Sequence, residues 1–176
     1  DEDKGHFDAN TPEVLMQASA GALCCFNMET GRVNSDICIG RKGGGEGEIW
    51  VNGTAAHAGN DFVSGRNAVL GMANKAIELS RLTDLSEGTT IAPTVIRGGT
   101  VPNGIPDYCH MYFDVRYQKS EEARRVKEGF ARIAGTTHIE GTCTEYIYKE
   151  YMPPFDVTPE GEALADLVAE VSREQG

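Results

Sequence analysis

One histidine, His57, stands in a stretch of the chain where every other side chain is small, "GTAAHAG" at residues 53–59. Imidazole is a good hydrogen-bond donor to a developing oxyanion, and Gly, Ala and Thr neighbours leave room for another group to approach it. The alternative is a surface loop in which the histidine is incidental. A lone histidine does not decide between these interpretations, so the evidence has to come from the rest of the chain.

Three further polar residues could take part in chemistry. Asn103 lies in the loop "GGTVPNGIP", Arg41 precedes a Gly-rich stretch, and Arg116 closes the strand-like run "DYCHMYFDVRY". A guanidinium matches a carboxylate through two parallel hydrogen bonds, so either arginine is suited to an acidic ligand. Whether these residues can reach one site depends on the elements that position them.

Hydrophobic periodicity and turn residues predict those elements. Near the start, residues 11–20 suit a short helix, residues 22–28 suit a short buried strand, and the Gly-rich residues 40–48 read as a flexible joint before a new domain. Beyond the joint we predict a strand at 48–54, a helix at 66–82, strands at 89–98 and 107–117, a helix at 120–134, a strand at 137–151 and a helix from about 158.

The predicted order from residue 48 to residue 151 is β-α-β-β-α-β. This order is typical of the ferredoxin-like α+β fold, a four-stranded antiparallel sheet with two helices on one face. We expect this domain to span residues 44–152. The flanking residues 1–43 and 153–176 are predicted to be parts of a second domain into which it is inserted.

The topology separates the candidate residues into two groups. His57 and Asn103 follow the first and second strands, which run in the same direction, so both belong to one end of the sheet. Arg41 and Arg116 belong to the other end. At about 3.4 Å per residue, the third strand separates the two ends by roughly 30 Å. One copy of the chain therefore cannot bring His57 and Arg116 to one small-molecule site, whereas two copies could combine their opposite ends.

Composition narrows the class of protein. The 176 residues are 40% hydrophobic and carry a formal net charge of −11, which argues against binding to nucleic acid or an anionic membrane. The five cysteines have no paired spacing, so we expect reduced thiols and a cytoplasmic location. The chain begins without Met and ends within a helical pattern. We expect it to be a piece of a longer protein, the alternative being a complete small domain.

The motifs "GTAAHAG", "GGTVPNGIPD" and "MYFDVRY", in this order and at these spacings, resemble the lid or dimerisation domain of the zinc carboxypeptidase and aminoacylase family. That family includes glutamate carboxypeptidases, aminoacylases and succinyl-diaminopimelate desuccinylases. The opening "DEDKG" resembles the acidic active-site motif of the family, and Glu29 falls where the family has a further acidic zinc ligand. The resemblance covers nearly the whole chain.

The resemblance implies a dinuclear zinc hydrolase whose lid is inserted into an α/β catalytic domain. Glu2 would be the general base, Asp3 a ligand of one zinc and Glu29 a ligand of the other. Carboxylates suit zinc, although other divalent metals could occupy such a site, and two metals lower the pKa of the water between them. A nearby carboxylate can take the proton of that water and pass it to the leaving nitrogen.

The resemblance also assigns roles to the lid residues. His57 would reach across a homodimer, polarise the scissile carbonyl and stabilise its oxyanion. Asn103 would act from the same side as His57. Arg116, together with Arg41, would bind the free carboxylate of the substrate. The implied reaction is cleavage of an amide or peptide bond next to a free carboxylate, in a small peptide or N-acyl amino acid.

The sequence departs from the family in the metal site. Asp3 stands where the family usually has Glu, and the His-x-Asp upstream, the metal-bridging Asp and the His downstream are absent from the chain. We therefore expect the fragment alone to be inactive and to bind zinc weakly.

Two other functions remain open. A non-catalytic ferredoxin-like module could dimerise or bind a small acid, since the fold does not determine the function. Such a module would have no need of "DEDKG" or Glu29. An RNA-binding sheet would use Tyr108 and Tyr112 on the exposed face, but the net charge of −11 opposes it.

Overall fold

A computed structural model of the protein describes residues 11–26 and 36–175. The chain divides into two compact units, residues 1–37 and 38–176. In the first unit, α1 (Thr11–Ala18) is the helix that the sequence predicts. The strand predicted at residues 22–28 is wrong over its described part, because residues 22–26 are irregular and exposed. A strand needs a hydrogen-bonded neighbour, and the described residues of this unit contain none.

The second unit has the predicted β-α-β-β-α-β order, which confirms the α+β fold class. Four long strands form a single sheet in which every neighbouring pair is antiparallel. The elements are β1 (Gly43–Asn52), β2 (Ala56–His57), α2 (Ala68–Ser80), β3 (Thr90–Gly98), β4 (Gly104–Ile105), β5 (Tyr108–Tyr117), α3 (Ser120–Gly135), β6 (Cys143–Met152) and α4 (Pro159–Gln175).

The strand order in the sheet is β3-β5-β1-β6, so β3 and β6 are the edge strands. The sequence predicts β3 as an edge strand because Pro93 cannot donate a backbone hydrogen bond. The short strands β2 and β4 pair with each other outside the main sheet. Within the described residues, no helix is both long enough and apolar enough to cross a membrane. The predicted domain limits, at residues 43/44 and 152/153, stay predictions.

One face of the sheet forms the core together with α2 and α3. The alternation of β5 is confirmed, since its odd-numbered residues are buried and its even-numbered residues are exposed or half-buried. From α3, Val126, Phe130 and Ile133 enter the same cluster. We call the other side of the sheet the open face, which on β5 carries Tyr108, His110, Tyr112, Asp114 and Arg116.

The Gly-rich stretch that the sequence analysis interprets as a flexible joint is strand instead, because β1 begins at Gly43. Aromatic rings from neighbouring strands cover its glycines. A Cβ on Gly47 would overlap the Phe113 ring, and a Cβ on Gly43 would overlap Tyr117. Packing of aromatic rings over glycine is a known way to stabilise such strands. The glycines therefore make room for the core and do not mark a hinge.

A buried carboxylate anchors α3 to the start of β3. Glu122 accepts hydrogen bonds from Thr89 Oγ1 at 2.6 Å and from Arg125 Nη2 at 2.6 Å. Arg125 also donates to the carbonyl oxygen of Leu82 at 2.8 Å. The hydrogen bonds from Arg125 are the main reason that the pKa of Glu122 lies below its ordinary value.

Glu122→Gln should destabilise the protein by about 1–3 kcal/mol at neutral pH, because the charge-assisted bonds to Arg125 are lost. The wild type keeps this contribution above the unfolded pKa of glutamate, about 4.3, and loses it as the pH falls through the lower folded value. Urea unfolding between pH 3 and pH 7 should therefore show that the free energy of unfolding falls less toward acid pH in the variant than in the wild type. An equal dependence of the free energy of unfolding on pH in the two proteins would contradict this prediction.

Candidate functional site

The structure brings His57 and Asn103 together at one end of the sheet. His57 lies in β2 opposite Gly104 of β4, and the backbone N–H of Ala58 donates to the carbonyl oxygen of Asn103 at 2.9 Å. Both His57 and Asn103 are exposed. The shared end that the topology predicts is thus confirmed, and the short ladder between β2 and β4 is what holds the two residues side by side.

Backbone hydrogen bonds orient the His57 ring. Nδ1 accepts from the backbone N–H groups of Gly59 and Asn60, both at 3.1 Å. A ring nitrogen that accepts hydrogen bonds carries no proton, so the neutral imidazole has its proton on Nε2. The loop therefore presents His57 as a fixed Nε2–H donor, which is the form that an electrophilic role requires.

Two of the small residues around His57 are needed for the local packing and hydrogen bonding of the loop. A Cβ on Gly53 would overlap the carbonyl oxygen of Arg66, whose backbone pairs with Thr54 through two hydrogen bonds of 3.0 and 2.9 Å. Gly59 supplies one of the backbone donors to the His57 ring. The loop is therefore compact and hydrogen-bonded within itself.

A cleft of about 490 Å³ lies beside this loop. Ala55 and Ala56 form part of its wall, and larger side chains form much of the rest, among them Arg97, Val101, Ile105 and Tyr108. The cleft therefore combines an apolar lining with a guanidinium and a phenol. No sequence motif indicates this cleft, because its residues come from three separate segments, 55–56, 97–101 and 104–108.

Arg116 lies at the opposite end of the sheet. Its partner across the β1–β5 ladder is Gly44, and its guanidinium forms two hydrogen bonds with Asp114, from Nε to Oδ2 at 3.0 Å and from Nη2 to Oδ1 at 3.1 Å. These bonds raise the pKa of Arg116 above its ordinary value, so the group stays charged. The Tyr151 ring lies below it, 5.4 Å from the guanidinium carbon.

Arg41 lies at the same end as Arg116. Its backbone forms two hydrogen bonds with Phe155, of 3.0 and 2.9 Å, just before β1 begins, and the residue is exposed. The ten residues of β5 run between the two ends and, at about 3.4 Å per residue, span roughly 30 Å. One copy of the chain thus keeps His57 and Asn103 apart from Arg41 and Arg116.

The predicted metal ligands Asp3 and Glu29 and the predicted general base Glu2 lie outside the described residues. Among residues 11–26 and 36–175, no three His, Cys, Asp or Glu side chains come close enough together to hold a metal ion. The described part of the chain does not make a zinc site by itself.

Two residues at the arginine end are not among the candidates that the sequence indicates. Asp114 could have been found, because it lies two residues before Arg116 in a strand and the two side chains must share a face. Tyr151 carried no such signal. It reaches Arg116 only through the pairing of β1 with β6, whose register shifts between Gly44 and Gly45.

Comparison with protein families gives one match. Residues 39–142, more than half of the chain, match the family described as Peptidase dimerisation domain. Among curated proteins, the chain is 28% identical over 111 residues to an uncharacterised metallohydrolase of Methanocaldococcus jannaschii, which covers 61% of this chain and 32% of that protein. It is 22% identical over 177 residues to carboxypeptidase G2 of a Pseudomonas species, covering 100% of this chain and 42% of the relative.

Solved structures show the same fold. A putative aminohydrolase from methicillin-resistant Staphylococcus aureus superposes with a TM-score of 0.68 at 18% identity, over 77% of this chain and 36% of that one. The aminopeptidase PepT from Bacillus cereus gives a TM-score of 0.62 at 21% identity, over 78% and 37%. The chain thus spans well under half the length of each of these relatives.

Proposed function

The chain belongs to the M20 peptidase dimerisation domain family, and from this premise we propose that it is the lid part of a metallohydrolase that cleaves an amide or peptide bond next to a free carboxylate. The observation that carries the proposal is the division of polar residues between the two ends of one sheet. His57, whose imidazole is suited to donate to an oxyanion, lies at one end, and Arg116, whose guanidinium is suited to bind a carboxylate, lies at the other. A single substrate can use both only if two copies of the chain cooperate.

Pairing of the edge strands would bring the opposite ends together. In a two-fold dimer, an edge strand that pairs with its own copy runs antiparallel to it. The end of β3 at Gly98 lies on the His57 side of the sheet, while its start at Thr90 is in register with Arg116. Two antiparallel copies of β3 would therefore set the His57 end of one copy beside the Arg116 end of the other.

The surface around β3 has the apolar character that such a dimer needs. Leu70 and Ile77 of α2 are 51% and 53% exposed, and Ile96 of β3 is 50% exposed. Exposed apolar side chains on adjacent elements are typical of protein interfaces. We propose that α2 packs against its copy while the edges of β3 pair, which forms a homodimer.

The roles of the lid residues follow from this arrangement. The Nε2–H of His57 would polarise the scissile carbonyl in the site of the partner subunit and donate to the oxyanion as it forms, which lowers the barrier because the donor is already oriented. Asn103, fixed beside His57, would act on the same side. Arg116, supported by Arg41, would hold the free carboxylate and so place the amide for attack.

Support for a metal comes from a protein that is similar to this chain. One relative is named a metallohydrolase, and we propose that the whole protein also uses a metal, with zinc as the expected ion. We propose two zinc ions for each complete site. Their ligands would include Asp3 and Glu29, and the general base would be Glu2. When bound, the metals would supply an activated water for attack on the amide.

Arg116→Ala should raise KM for a substrate with a free carboxylate and leave kcat nearly unchanged, because the carboxylate is bound alike in the ground and transition states. The test uses the full-length protein and a matched pair of substrates, one with the carboxylate and one with a primary amide in its place. The wild type should prefer the carboxylate about tenfold or more, and the variant should lose that preference.

The amide substrate is the control, since its KM should change little on substitution. A wild type that hydrolyses neither class of substrate would favour a non-catalytic dimerisation module. A variant that keeps the full preference would show that Arg116 does not bind the carboxylate.

A further inference from the structure

The guanidinium of Arg116 is only partly available to a ligand. Of its five N–H donors, one on Nε and one on Nη2 are taken by the bidentate pair with Asp114. The other three lie on the two η nitrogens. The Arg116 side chain is 41% exposed, so a ligand can reach these donors.

Tyr151 supports the same pair from β6. Its ring lies against the guanidinium at 5.4 Å, and its hydroxyl donates to Asp114 Oδ1 at 3.3 Å. A cation over an aromatic face gains electrostatic stabilisation, and a guanidinium stacks well there because it is planar. Asp114 thus holds the fork of Arg116 through two hydrogen bonds, and the Tyr151 ring packs against the same guanidinium.

Gly44 makes the space in which this cluster lies. It is buried in β1 directly opposite Arg116 in the ladder. A Cβ at this position would come within 2.9 Å of Arg116 Nη1 and 2.8 Å of the Tyr151 hydroxyl oxygen. Any larger residue would therefore force the guanidinium or the ring to move.

Stability alone does not account for the cluster. It lies on the open face, away from the core, and the Asp114 side chain is 40% exposed. Ion pairs with this exposure contribute little to folding, because solvent screens them. An ordered guanidinium does help binding, because the conformational entropy of a long side chain is then lost before the ligand arrives.

We propose that Asp114 and Tyr151 are positioning residues that hold Arg116 in one orientation, so that a substrate carboxylate meets its η nitrogens end-on, with Gly44 leaving the space for this arrangement. The proposal rests on the proposed function, in which Arg116 binds the substrate carboxylate. It adds a specificity determinant, because a guanidinium held in this way selects a carboxylate by its direction of approach as well as by its charge.

The test measures KM and kcat of the full-length protein for the carboxylate and amide substrates in Arg116→Ala, Asp114→Asn and the double variant. Asp114→Asn should raise KM for the carboxylate substrate about fivefold, because Arg116 must then be ordered when the substrate binds. The kcat for that substrate and the KM for the amide substrate should stay unchanged. The double variant should be no worse than Arg116→Ala, since residues that act through one another are not additive. Tyr151→Phe, which keeps the ring, should have a smaller effect in the same direction.

The matched control is Glu46→Gln. Glu46 lies opposite Asp114 in the ladder, on the same face, so this variant removes a neighbouring charge without breaking the pair with Arg116. Its KM should equal that of the wild type. Thermal unfolding of each variant checks that it is folded. Gly44→Ala, which forces the Arg116 guanidinium or the Tyr151 ring to move without changing any charge, should also raise KM for the carboxylate substrate.

The outcomes separate the two claims. If Arg116→Ala keeps the carboxylate preference, the proposed function of Arg116 fails. If Arg116→Ala loses the preference while Asp114→Asn keeps the wild-type KM, only the positioning role is overturned. A lower KM in Asp114→Asn would also overturn it, because Asp114 would then be a competitor of the substrate carboxylate.

Discussion

Replacement of His57 with alanine is expected to lower kcat of the full-length protein about a hundredfold or more, the effect found when one oxyanion donor is removed. The reason is the fixed ring, whose Nδ1 is engaged by Gly59 and Asn60 and whose Nε2–H is left to donate. Steady-state kinetics measures the effect. Elemental analysis should show unchanged metal content, because His57 has no ligand role in this account.

Two variants control this prediction. His57→Gln keeps an N–H donor on a side chain of similar length and should recover part of the loss. His138→Gln changes a histidine that pairs with Glu78 at 3.0 Å, after α3, and should leave kcat unchanged. A normal kcat in His57→Ala would contradict the donor role, and a loss of metal would mean that His57 is a ligand.

The strand and helix order could be predicted from the sequence because local patterns determine it. The alternation of β5 and the helical spacing of α2 each follow from burial of one face, and β-α-β-β-α-β has few compact arrangements. The shared end of His57 and Asn103 followed from that topology. The β2–β4 ladder that fixes them did not, since strands of two residues carry no periodicity.

The errors came from long-range packing. Gly43 to Gly47 have the composition of a linker, and they form a strand because they pair with β5 and β6, whose residues lie far along the chain. The rings of Phe113, Tyr117 and Tyr148 then pack over these glycines. β6 begins at Cys143, later than predicted, because residues after α3 first make a turn in which Gly141 has a φ of 81°. Neither feature can be read from neighbouring residues.

The candidate site could be predicted only in part, because some of its contacts follow from local patterns and others from long-range packing. Arg116 and its face followed from strand alternation, but the cluster with Asp114 and Tyr151 depends on the register of three strands. The hydrogen bonds that set the His57 tautomer depend on a loop conformation. Sequence patterns thus indicated which residues are candidates, and the structure shows how His57, Asn103, Arg41 and Arg116 are held.

The central claim is that His57 acts in the site of the partner subunit and Arg116 in the site of its own. Separate preparations of His57→Ala and Arg116→Ala should both be poorly active at low concentrations of a carboxylate substrate. In a mixed dimer, one site carries both defects and the other carries neither. After random exchange in an equimolar mixture, half of the dimers are mixed, so activity should reach about a quarter of the wild type.

The most direct measurement is therefore the activity of that mixture over time, with subunit exchange followed independently by mass spectrometry of isotopically labelled dimers. This account predicts that activity rises from near the level of the single variants to about a quarter of wild type, in step with exchange. If exchange is complete and activity does not rise, either both residues serve one subunit's site or at least one serves none, which would contradict the shared site.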